Sequence, residues 1–231
     1  MSPKQQRGEA TVDLVLTTAL RVYAAQGQQG FTVGSVTAAS GVSLGSLYHH
    51  FGSFDGLAAA LYTRCMGELF DAMTTAVTRT RTARTGVHAL VRSYLGFTRE
   101  HRDAALFLHA SAYSGYLAAH AEEISAAKEA KLAAIGAWTR RQVLKGQIVP
   151  LPGPLVEVLV MGPAGEAARR WLSSTCAFDL DEAERLLPDA VWRTLRPGPD
   201  AQGLGPRAAA RGPGNVRATC GATPRSGPGG R

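Results

Sequence analysis

The stretch from Phe31 to Leu57 constrains the fold of this chain more than any other part of it. It reads FTVGSVTAASGVSLGSLYHHFGSFDGL and contains two short segments that can be helical, at 33–40 and 44–50. Gly41 stands between them and can adopt the positive φ that a tight turn between helices needs. Two short helices joined in this way are typical of a helix-turn-helix, in which one helix braces the other.

The second of these helices presents a polar and aromatic surface. Leu47 is spaced to join a small core with the first helix, which leaves exposed Leu44, Gly45, Ser46, Tyr48 and His49. Such groups can meet base edges in a major groove. Thr32 and Ser43 can cap the two helices, whose first N–H groups can then bind phosphate. A plain αα-hairpin without a nucleic-acid role would explain the Gly and apolar positions equally well.

The remaining chain is predicted to be all-α. Apolar residues recur every three or four positions at 9–26, and Ser53 can cap a long helix of about 25 residues. No strand-like alternation of useful length appears. Pro163 should kink or split the helix that contains it. The further helical segments are predicted near 86–100, 103–111, 115–146, 154–174 and 181–195.

The motif and the composition divide the chain into three parts. We expect a helix-turn-helix DNA-binding domain at 1–52, a second helical domain at 53–195, to which the resemblance described below assigns ligand binding and dimerisation, and a disordered tail at 196–231. The tail holds nine Gly and six Pro, so it buries too little apolar surface to offset its chain entropy. It also holds six Arg against one Asp, a balance of +5 out of the net +7. The overall charge is therefore a poor argument for DNA binding.

Several classes of protein are disfavoured. The three cysteines are isolated and odd in number, which argues against a disulfide framework or a zinc ribbon. The chain shows no signal-peptide pattern and no apolar run long enough for a membrane span, so a cytoplasmic protein without membrane contact is expected. No phosphate-binding loop, nucleophile elbow or metalloprotease motif is present, and we expect neither an enzyme, a metal site nor a cofactor.

The pattern T32-V33-x-x-V36, G41-V42-S43-x-G45-S46-L47-Y48-x-H50-F51-x-S53-x-D55-x-L57 resembles the signature of the tetracycline-repressor (TetR) family. The resemblance implies an all-helical homodimer with an N-terminal helix-turn-helix and a larger domain that binds a small molecule. It places groove contacts at Leu44, Gly45, Ser46, Tyr48 and His49, and phosphate contacts at Thr32, Ser43, Tyr48 and His50. Phe54 stands where the family commonly has a Lys that engages phosphate, a departure expected to weaken DNA binding.

Two further sets of residues are candidates for regulation. The effector is expected to be apolar or aromatic, in a pocket lined by Met66, Phe70, Phe97, Phe107, Tyr113, Tyr116 and Trp138, although a stripe at helical spacing is also ordinary core. Segment 161–172 is similar to the penultimate helix of such regulators, which helps form a four-helix dimer interface. In the helix predicted at 154–174, small and apolar residues suit a two-fold contact, although packing within one chain would use the same ridges; these residues are Leu155, Leu159, Gly162, Gly165, Trp171 and Leu172.

These observations favour a homodimeric regulator, most simply a repressor, that binds palindromic double-stranded operator DNA and is released by a small-molecule effector. Ligand binding would pivot the long helix that begins near Ser53 and so move the two recognition helices off their half-sites. The alternative is a helical ligand-binding or scaffold protein whose helix-turn-helix has lost specific DNA binding. Phe54 and the low N-terminal charge motivate that alternative.

Overall fold

The computed structural model describes residues 2–111, 115–175 and 178–198, and the regular structure in these ranges is helical. The predicted all-α fold is thereby confirmed. Most of the predicted tail, from 199 onward, lies outside the described residues. In chain order the helices are α1 (Pro3–Gly30), α2 (Val33–Ser40), α3 (Leu44–Phe51), α4 (Phe54–Thr78), α5 (Ala83–Glu100), α6 (Arg102–Ser111), α7 (Gly115–Ala118), α8 (Ala121–Leu144), α9 (Gly153–Leu172) and α10 (Leu180–Leu195).

The first helix is longer than the apolar periodicity indicated. It begins at Pro3, six residues before the predicted start, because Pro is favourable in a first helical turn and no breaker follows. Gly27, expected to end the helix, instead interrupts it with φ 67° and ψ −170°. Three more residues continue to Gly30, and this break redirects the chain toward α2.

Helices α2 and α3 form the predicted helix-turn-helix. Gly41 ends α2 in the left-handed conformation, with φ 68°, and donates its N–H to the carbonyl of Thr37. Val36 of α2 and Leu47 of α3 are fully buried, as is Val15 of α1. Helices α2 and α3, which have eight residues each and are too short to be stable alone, thus share one small apolar core with the longer α1.

The long helix that follows is confirmed in position and length. Ser53 accepts a hydrogen bond from the N–H of Gly56 at 2.9 Å, and α4 then runs for 25 residues. Its inner face is buried along most of its length, including Leu57, Leu61 and Cys65. Burial raises the pKa of the Cys65 thiol to about 12, so this cysteine is a packed apolar group and not a reactive thiol.

The remaining helices pack around α4 and α5. The prediction of one helix over 115–146 was wrong: α7 ends at Ala118, and α8 begins only after His120, whose ψ of 18° lies outside the α-helical range. In contrast, α9 continues through Pro163, because the ring is exposed and water can satisfy the carbonyl that loses its donor. No helix in the described ranges has the length and apolar character to cross a bilayer.

Candidate nucleic-acid interface and regulatory core

Helix α3 holds one face in the core and turns the other to solvent. Leu47 anchors it, fully buried, whereas Leu44 is 49% exposed and Tyr48 is 41% exposed. Gly45 and His49 are exposed as well, and Ser46 and His50 are half-buried. The side chains predicted to meet base edges therefore lie together on the outer face of one short, anchored helix.

The two helix N-termini of the motif are both capped. Thr32 and Ser35 form a capping box: the Thr32 hydroxyl accepts from the N–H of Ser35 at 3.2 Å, and the Ser35 hydroxyl accepts from the N–H of Thr32 at 3.0 Å. The Ser43 hydroxyl accepts from the N–H of Ser46 at 3.2 Å. The remaining first-turn N–H groups have no acceptor within the helix and carry the positive end of its dipole. Both N-termini can therefore bind phosphate.

The adjacent histidines do not form a metal site. The rings of His49 and His50 lie 5.2 Å apart, edge to face, as neighbouring residues on a helix do. Within the described ranges no group of three potential ligands converges on one point. His50 instead borders two grooves that also share Arg64, one of about 690 Å³ facing α8 and one of about 520 Å³ facing α1.

Phe54 is part of an aromatic cluster that joins the helix-turn-helix to the rest of the chain. We use the name aromatic cluster for Tyr23, Phe31, Phe54 and Phe107. The Phe54 ring is partly buried and lies 4.9 Å from that of Phe31, and Phe107 of α6 lies 4.8 Å from Tyr23 and 5.9 Å from Phe31. At the position where a phosphate-binding Lys would stand, this chain has a packing residue.

The residues predicted to line an effector pocket are mostly core. The buried ones are Met66, Phe70, Phe97, Phe107 and Trp138. Phe97 also borders an open groove of about 570 Å³ between α4, α5 and α10, and Trp138 lies directly over Gly86 of α5. Tyr113 and the side chain of Tyr116 lie outside the described residues. A pocket formed by these seven residues stays a prediction.

The part of the chain from α4 to α10 is called the regulatory domain below. It contains a polar pair that was not predicted from the sequence. The hydroxyl of Tyr94 on α5 lies 3.4 Å from Nε2 of His109 on α6. Burial raises the pKa of Tyr94 to about 12 and lowers the pKa of His109, which the nearby Arg169 lowers further. Both groups are therefore neutral near pH 7. Gly165 of α9 leaves room for the pair, since a Cβ there would stand 3.3 Å from the Tyr94 hydroxyl.

Helix α9 carries an exposed apolar face. Leu155 is 52% exposed and Val158 is 62% exposed, and Gly162 is exposed one turn further on. The other residues predicted for a dimer contact are less accessible: Leu159, Gly165 and Trp171 are half-buried and Leu172 is buried. Trp171 already receives the Arg102 guanidinium over its ring at 4.8 Å. The accessible apolar surface thus lies on the first half of α9, and Val158 was missed by the sequence analysis.

Comparison with known proteins agrees with this architecture. Residues 15–61 match the family described as bacterial regulatory proteins, tetR family. A search of curated proteins gave no match. A solved TetR family transcription regulator from Marinobacter aquaeolei VT8 superposes with a TM-score of 0.69 at 21% identity, over 84% of this chain and 100% of that one.

Two regulators named FadR share the fold as well. The fatty acid degradation regulator from Bacillus halodurans has a TM-score of 0.65 at 18% identity, covering 83% of this chain and 96% of its own. The FadR of Bacillus subtilis, solved in complex with stearoyl-CoA, has a TM-score of 0.63 at 16% identity, covering 77% and 96%. The helix-turn-helix therefore matches the tetR family of bacterial regulatory proteins, and the chain shares the fold of solved regulators of that family.

Proposed function

We propose that the protein is a homodimeric repressor that binds palindromic operator DNA through α3 and is released by a small-molecule effector. The observation that carries the proposal is the outer face of α3, where Leu44, Gly45, Tyr48 and His49 are exposed beside the fully buried Leu47. Leu44 can contact a thymine methyl group. Gly45 faces open space and has no side chain, so the backbone there can approach the bases closely. Ser46 completes the set of groove contacts.

Phosphate contacts hold α3 in register. We assign them to the N-termini of α2 and α3 together with the side chains of Thr32, Ser43, Tyr48 and His50. These are mostly neutral groups, in keeping with the low charge of the N-terminal part of the chain. Binding should therefore depend less steeply on salt than for a domain that places several Lys and Arg on the backbone.

The exposed face of α9 supports self-association. Leu155 and Val158 lie one turn apart with Gly162 beyond them, and a two-fold axis through this face would bury all three against their copies. Leu159, Gly165, Trp171 and Leu172 would then support the contact from within each subunit. Glu157, which lies between Leu155 and Val158 in sequence, already has a partner of opposite charge, since its carboxylate lies 2.6 Å from the Lys128 ammonium.

The effector is proposed to be largely apolar. The groups that face the interior of the regulatory domain are aromatic, aliphatic or, like Tyr94 and His109, neutral at pH 7. A neutral pair can orient a polar end of the ligand without demanding a counter-charge. Stearoyl-CoA, the ligand in the Bacillus subtilis FadR structure, is a suitable first probe, alongside an uncharged aromatic compound.

Selection of a binding sequence tests the proposal. The protein is incubated with a library of random duplex DNA, and the enriched sequence is used in gel-shift titrations at several salt concentrations. We expect a palindrome, with half-sites about one helical turn or more apart. Failure to enrich any sequence at low salt would refute operator binding.

A matched pair of variants locates the contact. Leu44 and Leu14 are both 49% exposed and both lie in the DNA-binding domain, but Leu14 is on α1. Leu44→Ala should weaken binding to the selected sequence by about 0.8 kcal/mol for each methyl or methylene group that the contact buries, and Leu14→Ala should not. Equal losses in both variants would place the contact elsewhere than α3.

The alternative of a scaffold without DNA binding depended on Phe54 and on the low N-terminal charge, and the structure bears on Phe54. Its ring packs against Phe31 in the aromatic cluster, so the absence of Lys at this position has a structural reason that does not require lost function. The same selection experiment separates the two functions, because a scaffold would enrich no DNA yet would still dimerise and bind ligand.

A further inference from the structure

One continuous apolar core joins α1, α2 and α3 to α4 and α6, and two contacts between particular side chains add to it. One is the aromatic cluster, where Tyr23 and Phe31 meet Phe107 of α6 and Phe31 meets Phe54 at the start of α4. The other is made by Arg64, near the middle of α4, whose side chain contacts α1. Apolar packing is not directional, whereas a hydrogen-bonded ion pair fixes the positions of particular atoms, so the second contact can set the orientation of α1 on α4.

Arg64 contacts α1 through several atoms. Its Nη1 lies 2.9 Å from the Asp13 carboxylate, donates to the Thr17 hydroxyl at 3.2 Å and lies 3.4 Å from the Asp13 carbonyl. Its Nε donates to Glu68, one turn further along α4, at 3.2 Å. Glu68 thus steadies the guanidinium from its own helix. Among the ion pairs between described residues, Arg64–Asp13 is the pair that joins α1 to another helix.

The two attachment points are well separated. Asp13 and Tyr23 are ten residues apart on α1, and Phe54 and Arg64 are ten residues apart on α4, so each helix has about 15 Å between its points. In the aromatic cluster Tyr23, Phe31 and Phe107 are buried and Phe54 is partly buried, whereas the carboxylates of Asp13 and Glu68 are exposed to solvent. The buried point is the stronger of the two, and the exposed point is the one that can open.

We propose that Arg64 is a positioning residue for DNA recognition: its contact with Asp13 and Thr17 holds the helix-turn-helix in one orientation on α4, and without it the domain samples a wider range of orientations. The inference rests on the proposed function for its consequence at the operator. It goes beyond that function by naming the contact that sets the spacing of the recognition helices.

A distance within one chain tests the orientation without DNA. Spin labels are attached at Ala38→Cys on α2 and Glu129→Cys on α8, both exposed positions, with Cys176 and Cys220 replaced by Ser and the buried Cys65 retained. Dilution with unlabelled protein isolates the distance within a single chain. We expect one narrow distribution for the otherwise wild-type protein.

Two variants open the contact and one restores it. Arg64→Met removes the charge, and Arg64→Asp places a third acid beside Asp13 and Glu68; both should broaden the distribution and weaken binding to the selected operator by about fivefold or more, the range of ordinary allosteric couplings. The double variant Asp13→Arg with Arg64→Asp restores an ion pair of opposite polarity. It should return the narrow distribution and bring affinity to within about twofold of wild type.

Arg84→Asp is the matched control. Arg84 lies 2.9 Å from Asp189, the same distance as Arg64 from Asp13, but this pair joins α5 to α10 within the regulatory domain. The control should leave both the distribution and the affinity unchanged. Thermal unfolding of every variant checks that a change in orientation is not a loss of folding.

Three results would overturn the inference. The first is an unchanged distance distribution in both Arg64→Met and Arg64→Asp. The second is a broadened distribution with unchanged operator affinity, and the third is failure of the charge-exchanged double variant to restore either quantity. If the wild-type protein selects no DNA, the proposed function fails and the role in recognition with it, and the distance measurement still decides whether Arg64 orients the domain.

Discussion

The ring of Phe54 lies against that of Phe31, with centroids 4.9 Å apart and planes inclined at 49°. The contact joins the first residue of α4 to the segment between α1 and α2. It thereby connects the helix that leaves the DNA-binding domain to the helices within it, at the position where a phosphate-binding Lys was expected.

Replacing Phe54 by Lys should therefore have two opposing effects. The loss of the aromatic contact should lower the free energy of unfolding by about 0.5–1.5 kcal/mol beyond the loss of buried area. The ammonium can extend toward a phosphate, so affinity for any DNA should rise, with a salt dependence steeper by about one contact per subunit. Urea denaturation and salt-dependent titration measure the two effects. Phe54→Leu, which keeps an apolar group, should show a smaller loss of stability and no gain in affinity.

Ser43 offers a way to separate capping from phosphate binding. Ser43→Ala removes the acceptor for the N–H of Ser46 and should cost about 1 kcal/mol of stability. Ser43→Asp keeps a good cap but places a negative charge where phosphate is proposed to bind. The order of stability should be Asp above Ala, and the order of DNA affinity should be Ala above Asp. The same order in both measurements would contradict a phosphate contact at this helix end.

Two glycines of α5 should respond in opposite directions to the same substitution. A Cβ at Gly86 would collide with the indole of Trp138, so Gly86→Ala should destabilise the protein by about 1–3 kcal/mol through overpacking. A Cβ at Gly96 would meet open space, and Gly96→Ala should stabilise it by about 0.5–1 kcal/mol, because Ala is the better helix former. Thermal or chemical unfolding of the two variants gives the comparison. A stable Gly86→Ala protein would mean that Trp138 is free to move.

Two half-buried histidines predict how stability depends on pH. Burial lowers the pKa of His109 and of His88 below the ordinary value of about 6.5, so the unfolded chain takes up these protons at higher pH than the folded one. The stabilisation that comes from the neutral histidines should thus be complete above about pH 7.5. The free energy of unfolding should fall as the pH drops through 6.5 toward the lowered pKa values. The melting temperature should fall by about 2–4 °C for each kcal/mol lost.

Substitution of each histidine tests whether it causes this pH dependence of stability. His109→Gln and His88→Gln should each flatten the decline between pH 7.5 and 5, and the double variant should remove most of it. Glu166 and Asp189 do not interfere in this window: hydrogen bonds from Arg169 and Arg84 respectively lower the pKa of these carboxyl groups, whose contribution is lost only at more acidic pH. An unchanged slope in the double variant would contradict burial of the neutral imidazoles.

Local signals in the sequence predicted the helix-turn-helix well, and contacts between distant residues could not be predicted in the same way. The caps at Thr32 and Ser43 depend on residues three positions away, so the local pattern contained all the information needed. Arg64 meets Asp13 across 51 residues of sequence. Nothing in the spacing of either residue indicated a partner, and only the packing of α1 on α4 brings them together.

The regulatory domain shows the same limit. Its helices were predicted from apolar periodicity. A residue that faces the interior either fills space or lines a ligand pocket, and the periodicity of the sequence is identical in the two cases. Phe107 was predicted as a pocket residue and packs with Tyr23 and Phe31. Tyr94 and His109 meet only because α5, α6 and α9 cross where Gly165 leaves room.

The capped N-termini of α2 and α3 have a consequence for the kinetics of operator binding. Because the capping box of Thr32 and Ser35 and the cap of Ser43 form without DNA, the backbone that is proposed to meet the phosphates is ordered before the encounter. The chain entropy lost in ordering it belongs to folding and does not slow association. Association rates should then be similar for strong and weak operators, and the protein would distinguish them by how long it stays bound.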